Sequence, residues 1–290
     1  MSATPEAPSE QPLLATTAPT RAVTVAGVDI AWRELGTARP GTPTLVALTH
    51  LGANLDSWDP ELVDDLATDR RVVLLGYRGV GRSGGRVRRS FDETAADVIA
   101  AMRALDVGRV DLFGLSMGGM VAQAVLEQAP ELVDRVVLAG SAPRGGTGLT
   151  SMGGVMARGI ARGVLTRTEP TSLLFFPRAS PGPAAAEAYQ QRLRRRSIDR
   201  DPAVGLGVIR AQLSAVAAWG RASSPGREPL PMPALVLHGD ADRMVPVQNA
   251  AAVAARFVDA RVEVFPDVGH GVVSHRRGAV AELVRDFLRR

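Results

Sequence analysis

The sequence predicts an α/β protein: eight strands in a mostly parallel sheet, helices on both faces, and an inserted helical lid. Three observations carry this expectation. Short apolar runs alternate with segments of helical period from about residue 22 onward. A Gly-x-Ser-x-Gly pentapeptide falls where one of those runs meets a helical segment. The interval 143–232 contains no buried-strand run at all, and it is too long for a plain loop.

Taken in order, the first twenty residues are rich in Pro, Ala, Ser and Thr and have no basic residue before Arg21. A secretory signal needs a positive start and a longer apolar run than Leu13-Leu14, so residues 1–20 are expected to be a loose tail on a cytoplasmic protein. Ala22 to Ala26 and Val28 to Leu35 flank Gly27, which predicts a β-hairpin. The runs Thr44–Thr49, Val72–Leu75, Val110–Leu115, Arg135–Ala139, Ala234–Leu237 and Arg261–Phe265 have the pattern of strands buried on both faces. Helical period appears over Trp58–Ala67, Asp92–Leu105, Met117–Gln128, Gln248–Phe257 and Ala279–Leu288. Such alternation places parallel strands beside crossover helices. The resulting division is a core of residues 21–142 and 233–290, with 143–232 as a mostly helical lid. Lid pieces of helical pattern include Pro183–Arg196 and Pro202–Trp219.

Composition narrows the function classes. The 290 residues are 46% apolar and 22% charged, enough for one sizeable core. The isoelectric point of about 10.6 reflects Arg chemistry, because all 34 basic residues are Arg and the net charge is only +4. Acidic residues are interleaved with the basic ones, which argues against a nucleic-acid footprint. No stretch is long and apolar enough to span a bilayer. Zero Cys excludes disulfides, thiolate metal sites and a cysteine nucleophile.

A serine nucleophile remains open, and Gly114-Leu115-Ser116-Met117-Gly118-Gly119 supplies one at a strand-to-helix turn. Small flanking residues allow the tight backbone that projects the hydroxyl, and the helix N-terminus behind it favours developing negative charge. Ser requires a base, and a base requires an orienting acid. His270, in the loop between the last strand and the last helix, has the right place for the base. His275 is read as a solvated helix-end residue, and His50 and His238 as loop-anchoring or core residues. The acid belongs in the loop after the penultimate strand, where Asp242 is better placed to reach His270 than Asp240, which is read as bonding the turn. The chain order Ser, Asp, His suits such a sheet. Oxyanion donors are expected from the Met117 N–H and from the Leu51 N–H, with Gly52 as the neighbour that could replace Leu51.

These pieces resemble the α/β-hydrolase superfamily over residues 22 to 290. The resemblance rests on Thr49-His50-Leu51-Gly52, Trp58-Asp59-Pro60, Arg78-Gly79-Val80-Gly81-Arg82-Ser83, the Ser116 turn, the Asp242 loop and Gly269-His270. Leu51-Gly52 with Trp58-Asp59-Pro60, and Gly114 to Val121, look most like oxoadipate enol-lactone hydrolases and their relatives. The resemblance implies a hydrolase of esters or lactones that needs neither metal nor cofactor, acting on a small molecule; composition and hydropathy give the expectation of no nucleic-acid or membrane partner. Sharing the same residues are a cofactor-free perhydrolase of the haloperoxidase type and a carbon–carbon bond hydrolase; a small-molecule-binding protein without turnover is the rival from another class. Two departures stand out. His50-Leu51 replaces the common His-Gly, and Gly76 stands where the superfamily commonly has Asp, which is expected to loosen or reshape that turn. Arg192, Arg194, Arg195 and Arg196 are read as a solvated helix face, with an anion clamp as the alternative, and Arg86, Arg88 and Arg89 carry the same two readings. Phe175, Phe176, Tyr189 and Trp219 are expected to form the lid's own small core, with one or two of them lining an apolar pocket as the alternative.

Overall fold

The computed structural model describes residues 13–179, 181–223 and 229–290. The eight strands are β1 (Arg21–Val25), β2 (Val28–Leu35), β3 (Leu45–Leu48), β4 (Val72–Leu75), β5 (Val110–Leu115), β6 (Val133–Ala139), β7 (Ala234–Gly239) and β8 (Ala260–Phe265). They lie in the order β1-β2-β4-β3-β5-β6-β7-β8. The β1–β2 hairpin and the β2–β4 pair are antiparallel; every other pair is parallel. The helices are α1 (Pro60–Leu66), α2 (Phe91–Ala104), α3 (Met117–Gln128), α4 (Met152–Thr166), α5 (Pro170–Phe175), α6 (Gly182–Arg194), α7 (Leu206–Arg221), α8 (Gln248–Ala254), α9 (Val272–His275) and α10 (Arg277–Arg289). None of them is long and apolar enough to cross a membrane.

Alternation along each central strand sends apolar side chains to both faces. In β5, Val110 and Leu112 join a core with α2 and α3, whereas Phe113 and Leu115 join a second core with Trp58, α1 and α10. This two-sided burial explains why the central strands read as unbroken apolar runs. β8 departs from the expectation of burial on both faces. It pairs only with β7 and leaves Val262 and Val264 exposed, because it is an edge strand.

Beneath the sheet, Arg70 Nη1 donates to Asp111 Oδ2 at 2.7 Å, and both side chains are almost fully buried. Leaving either charge unpaired there would cost about 3–5 kcal/mol.

The interval 143–232 carries α4 to α7 between β6 and β7. Its arginine run is neither a wholly solvated face nor a free clamp. Arg192 makes a bidentate pair with buried Asp59 (2.7–3.1 Å), Arg195 bonds Glu61 at 2.6 Å, and Arg196 is buried against the Ala15 and Ala18 carbonyls; Arg194 is exposed and has no such pair among the described residues. Arg88 joins Arg78 on Asp97, whereas Arg86 and Arg89 are exposed. These bonds also correct the expectation of a loose tail. Residues 1–12 lie outside the described residues, but residues 13–20 are docked, with Ala18 fully buried and Ala15 N donating to Asp64 at 2.7 Å.

Gly76 does not loosen its turn. A methyl group there would come within 2.7 Å of Ala31 O and 3.0 Å of Ser83 Oγ. Gly76 N donates to Ala31 O, and Ala31 N donates to Ser83 Oγ, so the missing side chain lets the Ser83 turn bond directly to β2.

Candidate active site

The parallel strands β3, β5, β7 and β8 end on one edge of the sheet, and the candidate residues follow from those ends. Ser116 terminates β5 and caps α3 with φ 54° and ψ −114°, a conformation that costs a non-glycine residue about 1–3 kcal/mol. Its N–H donates to Ala139 O at 2.7 Å, and its carbonyl accepts from Gly119 N and from Ser141 Oγ. Around it, close backbone approach demands glycine. A methyl on Gly114 would lie 2.5 Å from Gly119 Cα, and one on Gly118 would overlap the Leu48 carbonyl at the end of β3. The pentapeptide spacing is therefore a packing requirement: it presses the N-terminus of α3 against both strands while the Ser116 side chain projects beyond them.

His270 and Asp242 meet Ser116 in one line. Ser116 Oγ and His270 Nε2 are 2.8 Å apart, and His270 Nδ1 lies 2.6 Å from Asp242 Oδ2. The Asp242 contact fixes the proton on Nδ1, leaving Nε2 to accept from the serine. All three side chains are buried. The other Asp242 oxygen accepts from the N–H groups of Met244 and Val245 at 2.8 and 2.9 Å. Burial opposes the charge on Asp242, but the charge of His270 and hydrogen bonds from His238 and His270 outweigh it, so its carboxyl is held well below the usual carboxylate range. An ionised acid opposite Nδ1 is what a base at Nε2 requires.

The other candidates lie apart from this line. Asp240 is exposed. His275 ends α9 with its ring 5.7 Å from that of Phe176. His238 Nε2 donates to Val245 O at 2.8 Å and lies 3.5 Å from Asp242 Oδ2, so it anchors the acid's loop from behind. His50 Nδ1 donates to Leu51 O at 3.0 Å, and burial pushes its imidazole down to about 4, opposed by that bond and aided by His270.

The loop after β3 is held from several sides. Tyr77 Oη donates to Thr49 O, Ala53 N donates to His50 O, and Gly52 N donates to Gln212 Oε1 of α7 at 2.8 Å. Gly52 is thereby committed, and its N–H does not substitute for that of Leu51. Leu51 N–H has no protein acceptor among the described residues, and Met117 N–H heads α3, where helix geometry leaves it without an intrahelical partner.

Two contributors were not assigned from sequence. Phe175 is expected in the lid core or lining an apolar pocket, yet its ring lies edge-on to both His50 and His270, with centroids 5.0 and 5.4 Å away, and its carbonyl accepts from Gly271 N at 2.8 Å. Gln212 carried no motif; its one signal was a polar residue on the otherwise apolar stripe of α7. Phe176, Tyr189 and Trp219 are buried, but not in a core of the lid's own: they join the cluster of β5, α2 and α3, with Trp219 edge-on to Phe91 of α2 at 5.7 Å between centroids.

A three-residue relay at the strand ends, a tight serine turn and an inserted set of helices can be compared with known proteins. The chain is 30% identical over 272 residues to the dihydrolipoyllysine-residue acetyltransferase component of the acetoin cleaving system of Pseudomonas putida, covering 92% of this chain and 68% of that one. It is 27% identical over 263 residues to a poly(3-hydroxyalkanoate) depolymerase of Ectopseudomonas oleovorans, covering 86% and 87%. Among solved structures, an alpha/beta hydrolase fold protein from Chitinophaga pinensis superposes with a TM-score of 0.88 at 27% identity, covering 95% of this chain and 99% of that one. The model of the alpha/beta hydrolase fold family matches residues 43–274, and with the serine turn and strand order above, the chain belongs to that family.

Proposed function

We propose that this hydrolase-family protein cleaves a carboxylic ester or lactone through an acyl-enzyme on Ser116. The single observation that carries the reading is the unbroken relay from Asp242 Oδ2 through His270 to Ser116 Oγ, with successive separations of 2.6 and 2.8 Å.

In the first half-reaction Ser116 Oγ attacks the carbonyl carbon while His270 Nε2 takes the hydroxyl proton. The carbonyl oxygen becomes an oxyanion held by the Met117 and Leu51 N–H groups, each worth about 3 kcal/mol in such a site. Collapse breaks the bond to the alkoxy oxygen, which receives the proton from His270 as it leaves. Water then gives a proton to His270 and attacks the acyl carbon, and that proton returns to Ser116 Oγ as the acid departs. Asp242 remains ionised throughout and offsets the positive charge of the transient imidazolium. The depolymerase relative, named for a polyester, supports a carboxylic ester as the substrate class.

The test is turnover of p-nitrophenyl esters and of lactones of several ring sizes by the wild type and by Ser116→Ala. The expected result is hydrolysis by the wild type and a loss of about 10⁴-fold or more in kcat in the variant. Equal hydrolysis by both proteins contradicts the reading. Peracid formation from acetate and peroxide without ester turnover, or cleavage of a vinylogous diketone alone, would replace it with perhydrolase or carbon–carbon bond hydrolase activity.

A further inference from the structure

A cavity of about 310 Å³ opens between α4, α5 and the loop that follows β7. Its walls include four arginines, Arg158, Arg162, Arg178 and Arg243, together with Leu173 and Leu174. The four arginines come from three separate segments. Arg158 and Arg162 are one turn apart on α4, Arg178 follows α5, and Arg243 directly follows Asp242. Among the described residues, none of the four makes an ion pair with a carboxylate. This contrasts with the arginines at the lid-to-core seam and beneath the sheet, where Arg33, Arg70, Arg192 and Arg196 all meet Asp.

All four arginines are exposed, so water screens part of their mutual repulsion. Like charges at i, i+4 on one helix repel, and here two further cations face the same space. Arg243 is held in place by donation from Nη2 to Leu173 O at 2.8 Å, and burial together with the Arg178 and Arg162 charges lowers the affinity of its guanidinium for its proton. A second cavity of about 340 Å³ shares Arg162, Leu173 and Arg178 and adds the hydroxyl-bearing Thr168 and Ser172; Glu187 lines this second space only. The arrangement therefore offers concentrated positive charge at one end and hydroxyl groups beside an apolar wall at the other.

We propose that the arginine-lined cavity is an oxyanion-binding site for a ligand carrying at least two negative charges on phosphate or carboxylate groups. Planar guanidinium groups bind both oxyanions in bidentate fashion, and four around one space exceed what a single carboxylate neutralises. The site stands beside the catalytic line without being part of it. Leu174 adjoins Phe175, whose ring lies against His270, and Arg243 adjoins Asp242, so an occupant would bear on both segments that border the Ser116 relay.

The test is calorimetric titration of the full chain with pyrophosphate and, separately, with citrate at low ionic strength. The comparison proteins are Arg158→Gln/Arg162→Gln, Arg178→Gln/Arg243→Gln and, as a control on an exposed cation elsewhere, Arg103→Gln. The expected result is saturable binding of at least one anion, weakened about tenfold or more in each double variant, unchanged in the control and weakening steeply with added salt. Pyrophosphate alone binding assigns a phosphate ligand; citrate alone assigns a polycarboxylate. The same anion should raise the thermal midpoint of the wild type and of neither double variant. Absence of saturable binding by both anions overturns the proposal, as does wild-type affinity in either double variant. Repeating the titration on Ser116→Ala separates this outcome from that of the hydrolase reading, because binding there needs no turnover.

Discussion

Ser116 sits in a conformation that its own side chain disfavours, and its surroundings hold it there: Ala139 on its N–H, Ser141 and Gly119 on its carbonyl, and glycines wherever a neighbour would otherwise intrude. Strain of this kind is maintained by the folded state, so it belongs to a preorganised hydroxyl. His50 shows the opposite economy, a buried imidazole kept neutral. Its folded-state value of about 4 lies below the ordinary 6.5, so the unfolded chain binds the proton first as pH falls. Its contribution is fully present above pH 6.5 and is lost progressively down to about pH 4, a difference of about 3 kcal/mol. Urea unfolding at pH 7 and pH 4.5 should show that loss in the wild type and a clearly smaller one in His50→Gln; an equal loss in both proteins would contradict the assignment. Asp242, whose value is also depressed, acts in the same direction but only below the ordinary carboxylate range.

At the scale of elements, the site is a set of strand ends trimmed by helices. Sequence periodicity located β5 and α3 to the residue, because burial on two faces and a glycine-bounded turn both leave local marks. The Ser116, Asp242 and His270 positions were legible for the same reason: each follows a recognisable strand. Contacts over long separations left no such mark. Gln212 meets Gly52 across 160 residues and Arg192 meets Asp59 across 133, and no local pattern specifies either pair. α4 was hidden by Gly153, Gly154, Gly159 and Gly163, which dilute its apolar period, and the edge position of β8 depends on sheet order, not on its own residues. The Gln212 contact makes a prediction about α7. Gln212→Leu removes the acceptor from Gly52 N–H and frees the loop that presents Leu51, so kcat should fall about tenfold, with Gln212→Glu retaining most of it. Unchanged kcat in Gln212→Leu would show that α7 does not position this loop.

For the whole molecule, one sheet presents the candidate site at its strand ends, and the inserted helices are fastened to the core by ion pairs. Arg192 with Asp59, Arg195 with Glu61 and Arg196 with Asp56 fasten α6 and the segment after it to the region around α1, and Gly271 fastens the His270 loop to α5. The inserted helices and the His270 loop thus share a backbone contact, Gly271 N donating to Phe175 O. The central claim concerns one oxygen atom, and its most direct test is covalent. A fluorophosphonate added to the wild type should give a single adduct by intact mass, located by peptide mapping to Ser116 and absent from Ser116→Ala. His270→Gln should slow the labelling by several orders of magnitude. No adduct on the wild type, or an adduct on another residue that persists in Ser116→Ala, would contradict the account.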